Sequence, residues 1–96
     1  MLQKADIKLI RSLDDKKSRN DHDLFVVEGN KIIQELLLSD PGRIYAVYAS
    51  RNWLDDLPQD TLRNLNYKVT DAGDMERISF LKTPQQALAL LLRCPA

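Results

Sequence analysis

The stretch DLFVVEGNKIIQELL, residues 23–37, decides how the chain folds. Its first half, Leu24 to Val27, is branched and aromatic, the composition of a strand. Glu28 and Gly29 close that run. Asn30 is a candidate N-cap. Ile32, Ile33, Leu36 and Leu37 then recur at helical spacing. A strand that passes directly into a helix is the unit of an α/β domain, and the rest of the chain can be read outward from it.

Upstream, ADIKLIRSL (residues 5–13) places Ile7, Ile10 and Leu13 on one helical face, with Lys8 and Arg11 toward the other. The next ten residues, DDKKSRNDHD, are wholly polar and predict a loop or an exposed helix with nothing to bury. Downstream, SDPG (residues 39–42) is a helix stop. RIYAVYA (43–49) is a second strand. LPQDTLRNLN (57–66) predicts a short helix with Leu62 and Leu65 facing inward. YKVT (67–70) is a third strand, and Asp71 can cap a helix through DMERIS. QALALLLR (86–93) is a fourth strand, because Pro84 drives Thr83 toward an extended conformation. Alternating strands and helices argue for a largely parallel sheet covered by helices. Apolar strands with little alternation fit burial on both faces.

The chain has 96 residues, enough for one small domain. Lysine plus arginine (14) balances aspartate plus glutamate (14), so any nucleic-acid contact must be a local patch. The single cysteine, Cys94, permits no internal disulfide, which predicts a reducing, cytoplasmic setting. It is read as a small residue at a strand end. No signal peptide is visible. The longest apolar run, ALALLL, is too short to span a bilayer, so no membrane role is expected.

Most catalytic chemistry is excluded. The pairs Asp14–Asp15 and Asp55–Asp56 are sequence neighbours that point apart, so neither forms a dyad. They read as solvated surface or, for Asp55–Asp56, helix-start charge. His22 is the only histidine and lies in the most polar segment, so no metal site and no Ser–His–Asp arrangement is expected. Three scattered glycines give neither G-x-G-x-x-G nor a P-loop. No catalytic residue is expected in this chain.

Two features remain. One is the basic cluster Lys8, Arg11, Lys16, Lys17 and Arg19, with Asn20 beside it, diluted by Asp14, Asp15, Asp21 and Asp23. It can meet phosphates or be a solvated face. The other is the strand–helix junction. Its backbone N–H groups and dipole point outward, Gly29 permits close approach, and Asn30 and Lys31 offer donors to an anion such as an RNA phosphate. Glu28 opposes an anion unless a base partners it, and Arg19 is the candidate. The alternative is a turn glycine, a capping asparagine and an Arg19–Glu28 pair tying the polar segment to the strand.

The segment IKLIRSLDDKKSRNDHDLFVVEGNKIIQELL resembles the opening of SpoU (TrmH) family RNA methyltransferases, in which a segment like SL…KK.R precedes F.VEG and a helix. Ser12, Leu13, Lys16, Lys17, Arg19, Phe25, Val27, Glu28 and Gly29 fall in register. A closing pattern like S….TPQG.LA appears as Ser79, Thr83, Pro84, Gln85, Leu88 and Ala89, with Gln86 where glycine is usual. The resemblance runs from about Ile7 to Leu90. It implies that residues 1–96 are a single RNA substrate-binding domain. The implied fold is a three-layer α/β/α sandwich with a small, largely parallel or mixed four-stranded sheet, similar to the kink-turn-binding ribosomal proteins. It also implies that methyl transfer from S-adenosylmethionine to a ribose 2′-hydroxyl of ribosomal or transfer RNA is done by a knotted catalytic domain absent from this chain. The cofactor and most of the dimer contact would then belong to that domain. The RNA-binding residues implied are Lys16, Lys17, Arg19, Asn20, Gly29, Asn30 and Lys31, with Arg19 and Glu28 also a structural pair. Phe80, Tyr45 and Tyr48 are expected mainly in the core. The competing functions are a stand-alone RNA-binding protein of the ribosomal type and a protein-interaction module without RNA.

Overall fold

The computed structural model describes residues 2–93; the expectation for Cys94 falls outside them. Two helices open the chain, α1 (Lys4–Ser12) and α2 (Lys16–His22). They are followed by β1 (Leu24–Glu28), α3 (Asn30–Ser39), a 3-10 turn at Pro41–Arg43 and β2 (Ile44–Ala49). Then come α4 (Arg51–Asp55), α5 (Gln59–Arg63), β3 (Tyr67–Val69), α6 (Ala72–Ile78) and β4 (Ala87–Leu92).

The polar segment forms α2, a helix with no buried residue. It lies against β1. Asp15 caps it by accepting the Ser18 N–H at 3.4 Å, and Asp23, in the left-handed conformation (φ 54°), ends it. The short helix expected within 57–66 forms as α5, and a further helix, α4, precedes it at Arg51–Asp55. Ser50 caps α4 by accepting the Trp53 N–H at 3.2 Å, and Pro58 starts α5. Asp55 and Asp56 therefore end α4 rather than start a helix, and Asp55 faces Arg51 at 3.9 Å in an exposed pair. Leu62 and Leu65 pack inward as expected. Asp71 caps α6 through the Asp74 N–H at 2.7 Å.

Among the described residues one sheet forms, in the order β1-β4-β2-β3. It is mixed. β2 and β3 pair in parallel, whereas β4 is antiparallel to both β1 and β2. The first three strands thus share one direction, as alternation predicts, and β4 alone reverses. The cause is the path of α6. It starts at Asp71, just past the end of β3, and ends at Ser79, which bonds to Glu28 at the end of β1. The helix crosses the sheet and does not return along it, so β4 enters from the end where the other three strands leave.

The central position of β4 explains its sequence. Ala87, Ala89 and Leu91 face one core with Val47, Ala49, Ile33, Leu37, Trp53 and Leu54. Leu88 and Leu90 face the other with Ala46, Tyr48, Ile10, Leu13, Met75 and Ile78. Helices α3, α4 and α5 cover the first face, and α1 and α6 the second, which completes the three-layer sandwich. A strand with both faces buried has no polar alternation to show. No helix among the described residues is long and apolar enough to cross a membrane.

Candidate nucleic-acid interface

The two sequence motifs meet at one end of the sheet. Gly29 has φ 142°, a conformation that side chains oppose, and a Cβ there would stand 3.0 Å from Ile32 Cγ2. Its N–H donates to the Ala87 carbonyl at 3.2 Å. Gly29, not Asn30, is the N-cap of α3. Asn30 instead links the layers: its Oδ1 accepts the Gln86 N–H at 2.8 Å and its carbonyl accepts the Trp53 Nε1–H at 3.3 Å. Gln86, where glycine was usual, has no positive φ. Its side chain accepts the Ser50 hydroxyl at 3.1 Å and its carbonyl accepts the Ser50 N–H at 2.9 Å. The turn therefore needs no glycine here.

Glu28 does not pair with Arg19. Its Oε1 accepts the Ser79 hydroxyl and its Oε2 accepts the Phe80 N–H at 2.9 Å. Arg19 Nη1 donates to the carbonyls of Leu13 and Asp14, both at 2.9 Å. The reason is positional. Leu24, Val26 and Glu28 alternate onto the α6 face of the sheet, whereas Arg19 sits one turn from the carbonyl-rich C-terminus of α1, which attracts a cation.

Phe80 and Tyr45 are not core residues: Phe80 is 37% exposed and Tyr45 49%. Tyr48 is buried. The Arg11 guanidinium lies over the Phe80 ring, 5.2 Å from its centroid, and Nη1 donates to the Ser79 carbonyl at 3.4 Å. A cation over an aromatic face is attracted by the ring quadrupole. A cleft of about 270 Å³ opens between Phe80 and Arg19, floored by Leu13, Phe25 and Val26 and bordered by Asp14. A second cleft of about 290 Å³, at the ends of β2 and β3, is lined by Asp71 and Glu76 with no basic residue. Its charge does not suit a phosphate.

Of the expected site residues, Arg19 reaches the Phe80 cleft. Lys16 and Lys17 are exposed in the first turn of α2. There they stand at the positive end of the helix dipole, where cations cost stability. Asn20 lies at the opposite end of β1 from Gly29, its Oδ1 accepting from Arg93. Lys31 is exposed, and Gly29 and Asn30 are engaged internally as described. From sequence alone Phe80 reads as a core aromatic. Its position directly after Ser79, in the closing motif, was the available signal.

This is an α/β sandwich whose two motif-bearing turns are tied together at one sheet end. The chain belongs to the family of MRM3-like substrate-binding domains, whose model matches residues 4–89. It is a substrate-binding domain of the SpoU (TrmH) RNA methyltransferase kind. A TrmH-family RNA methyltransferase from Porphyromonas gingivalis is similar at 30% identity and TM-score 0.77 over 97% of this chain. An rRNA methyltransferase from Sinorhizobium meliloti shares the fold at 20% identity and TM-score 0.76 over all of it. So does the SpoU methyltransferase AviRb from Streptomyces viridochromogenes, at 16% identity and TM-score 0.68 over 98%. The chain spans 36%, 36% and 37% of those three proteins. No curated protein matches it in sequence.

Proposed function

We propose that this domain binds the RNA substrate of a SpoU-family 2′-O-ribose methyltransferase. Ribosomal or transfer RNA would be held here for methyl transfer by a separate knotted catalytic domain, which would supply the S-adenosylmethionine site and most of the dimer contact. The setting is cytoplasmic in this reading. The observation that carries it is the solvent-facing set Arg11, Phe80 and Arg19, gathered beside the Glu28–Ser79 link. Arginine and an exposed aromatic ring are the side chains that meet RNA phosphates and bases. The neutral net charge leaves room for a local patch, because Arg11 and Arg19 flank Phe80 while the acids of the second cleft lie at the ends of β2 and β3.

The test is a titration of the purified chain against a fluorescent RNA hairpin across a salt series. Affinity should fall as salt rises, by roughly 0.7–0.9 log unit per log unit of salt for each phosphate neutralised. No binding at low salt would reject RNA recognition and favour a protein-interaction role.

A further inference from the structure

We infer that the cleft between Phe80 and Arg19 takes a single unpaired nucleobase, stacked on the Phe80 ring, so that the domain selects looped over fully paired RNA. This rests on the RNA-binding reading above and makes its substrate class specific.

Four observations on this surface converge. The Phe80 ring is solvent-facing, yet its backbone is pinned: Glu28 accepts its N–H, and Glu28 is itself held by Ser79. A ring presented on a fixed backbone loses little freedom when a base stacks on it. Arg11 lies over the ring but does not border the cleft, so the ring's remaining surface is what the cleft offers. The cleft floor, Leu13, Phe25 and Val26, is apolar, which suits the face of a base and not a phosphate.

Charge sorts the rest. Arg19 uses Nη1 for the Leu13 and Asp14 carbonyls. Its Nε and Nη2 donate to no acceptor among the described residues, and a guanidinium carries five N–H donors. The anchored guanidinium is therefore preset at the cleft rim for the phosphate that follows the base. Asp14 borders the same cleft and repels a phosphate inside it, while its carboxylate accepts from the amino group of a base. At about 270 Å³ the cleft lies at the small end of ordinary ligand pockets. A base that stays stacked and paired in a duplex cannot enter it, whereas loops splay their bases out.

The experiment compares an RNA hairpin carrying an all-adenosine loop with the same stem closed as a blunt duplex, titrated against the whole chain at fixed low salt. The wild type should prefer the hairpin. Phe80→Ala should lose hairpin affinity by roughly 5- to 150-fold, the usual range for one base–aromatic stack. Its duplex affinity and salt slope should not change. Fluorescence of the buried Trp53 reports whether that variant is folded. Phe80→Trp should keep hairpin affinity, and its added indole should be quenched by the hairpin and not by the duplex. Equal affinity of the wild type for both RNAs, an undiminished hairpin preference in folded Phe80→Ala, or an unquenched Phe80→Trp would each overturn the base cleft while leaving RNA binding in place. Failure of the wild type to bind either RNA would overturn the RNA-binding reading itself, and the base cleft with it.

Discussion

Glu28 and Ser79, 51 residues apart, are joined side chain to side chain, and the second oxygen of Glu28 holds the Phe80 N–H. One carboxylate thus ties the end of β1 to the end of α6. Ser79 also accepts the Leu81 N–H at 3.0 Å, so its hydroxyl is satisfied as both donor and acceptor. The Ser79 side chain lies in a residue that is only 6% exposed, so losing its partner strands a buried polar group. Glu28→Ala should cost about 2 kcal/mol, a fall in Tm of roughly 8–16 °C for a domain of this size. Glu28→Gln, which keeps one acceptor oxygen, should cost less. Melting curves followed by circular dichroism give the answer, and a Glu28→Ala variant that melts with the wild type would show that this link does not stabilise the fold.

Gly29 combines φ 142° with a crowded Cβ position against Ile32 Cγ2. Gly29→Ala must either strain the backbone or move the start of α3. The expected loss is about 1–3 kcal/mol, read as a lower urea midpoint at unchanged slope. Gly42, where an added Cβ meets nothing within 4 Å, is the internal control. Gly42→Ala should be near neutral. Equal effects at the two positions would remove the conformational explanation.

Much of this fold is legible in local sequence, and the parts that are not share one physical origin. Leu24 to Val27, the helix after Gly29, the Asp71 cap and the strand after Pro84 all follow from side-chain branching, periodicity and turn chemistry. The place of β4 between β1 and β2 does not, because it depends on α6 crossing the sheet, and no local pattern records the direction of a crossover. The site divides the same way. Glu28, Gly29, Ser79 and Gln85 are visible in the two motifs, but the Glu28–Ser79 and Asn30–Gln86 bonds are long-range contacts that spacing cannot pair. Charge alone pairs Arg19 with Glu28. The carbonyls that end α1 were nearer, and backbone acceptors are invisible to charge counting. Phe80 reads as core from sequence because aromatics usually are.

Asp6, Lys68 and Tyr48 give the fold a defined pH response. Burial raises the Asp6 pKa, but the Lys68 bond at 2.7 Å, the Gln3 N–H at 3.0 Å, the Lys68 charge and the Tyr48 hydroxyl outweigh it and hold the carboxyl below 3.8. A carboxyl held lower in the fold than in the unfolded chain adds stability above its unfolded pKa, and that share is lost as pH falls through the folded value. Stability should therefore decline below about pH 4. In Lys68→Met burial is no longer outweighed by the lysine, so the Asp6 share of that acid decline should shrink or reverse. At the alkaline end, burial first and then the Asp6 charge push the Tyr48 phenol from 10.0 up to about 12. The fold retains a proton that the unfolded chain releases, so that contribution is complete below pH 10 and is lost as pH rises toward 12. Urea midpoints across pH, with tyrosinate absorbance at the upper end, measure both limbs. An acid limb unchanged by Lys68→Met would mean that the ion pair does not govern Asp6.

Lys17 and Arg19 separate binding from folding. Lys17 is exposed, sits in the first turn of α2 and has no partner among the described residues that its loss would strand. Lys17→Ala should keep or slightly raise the wild-type Tm, weaken RNA binding and flatten the salt slope by about 0.7–0.9, the share of one phosphate. Arg19 has two tasks, because its Nη1 bridges the Leu13 and Asp14 carbonyls at the end of α1. Arg19→Ala should lower Tm as well as affinity. Arg19→Lys keeps the charge without the planar fork, so it should retain most of the salt slope while melting earlier than the wild type. The pattern across three variants is the test. If Lys17→Ala binds RNA with unaltered affinity and slope, α2 does not touch the backbone of the RNA. If Arg19→Ala melts normally, the two carbonyl bonds do not hold the α1–α2 turn, and the guanidinium is free to serve the RNA alone.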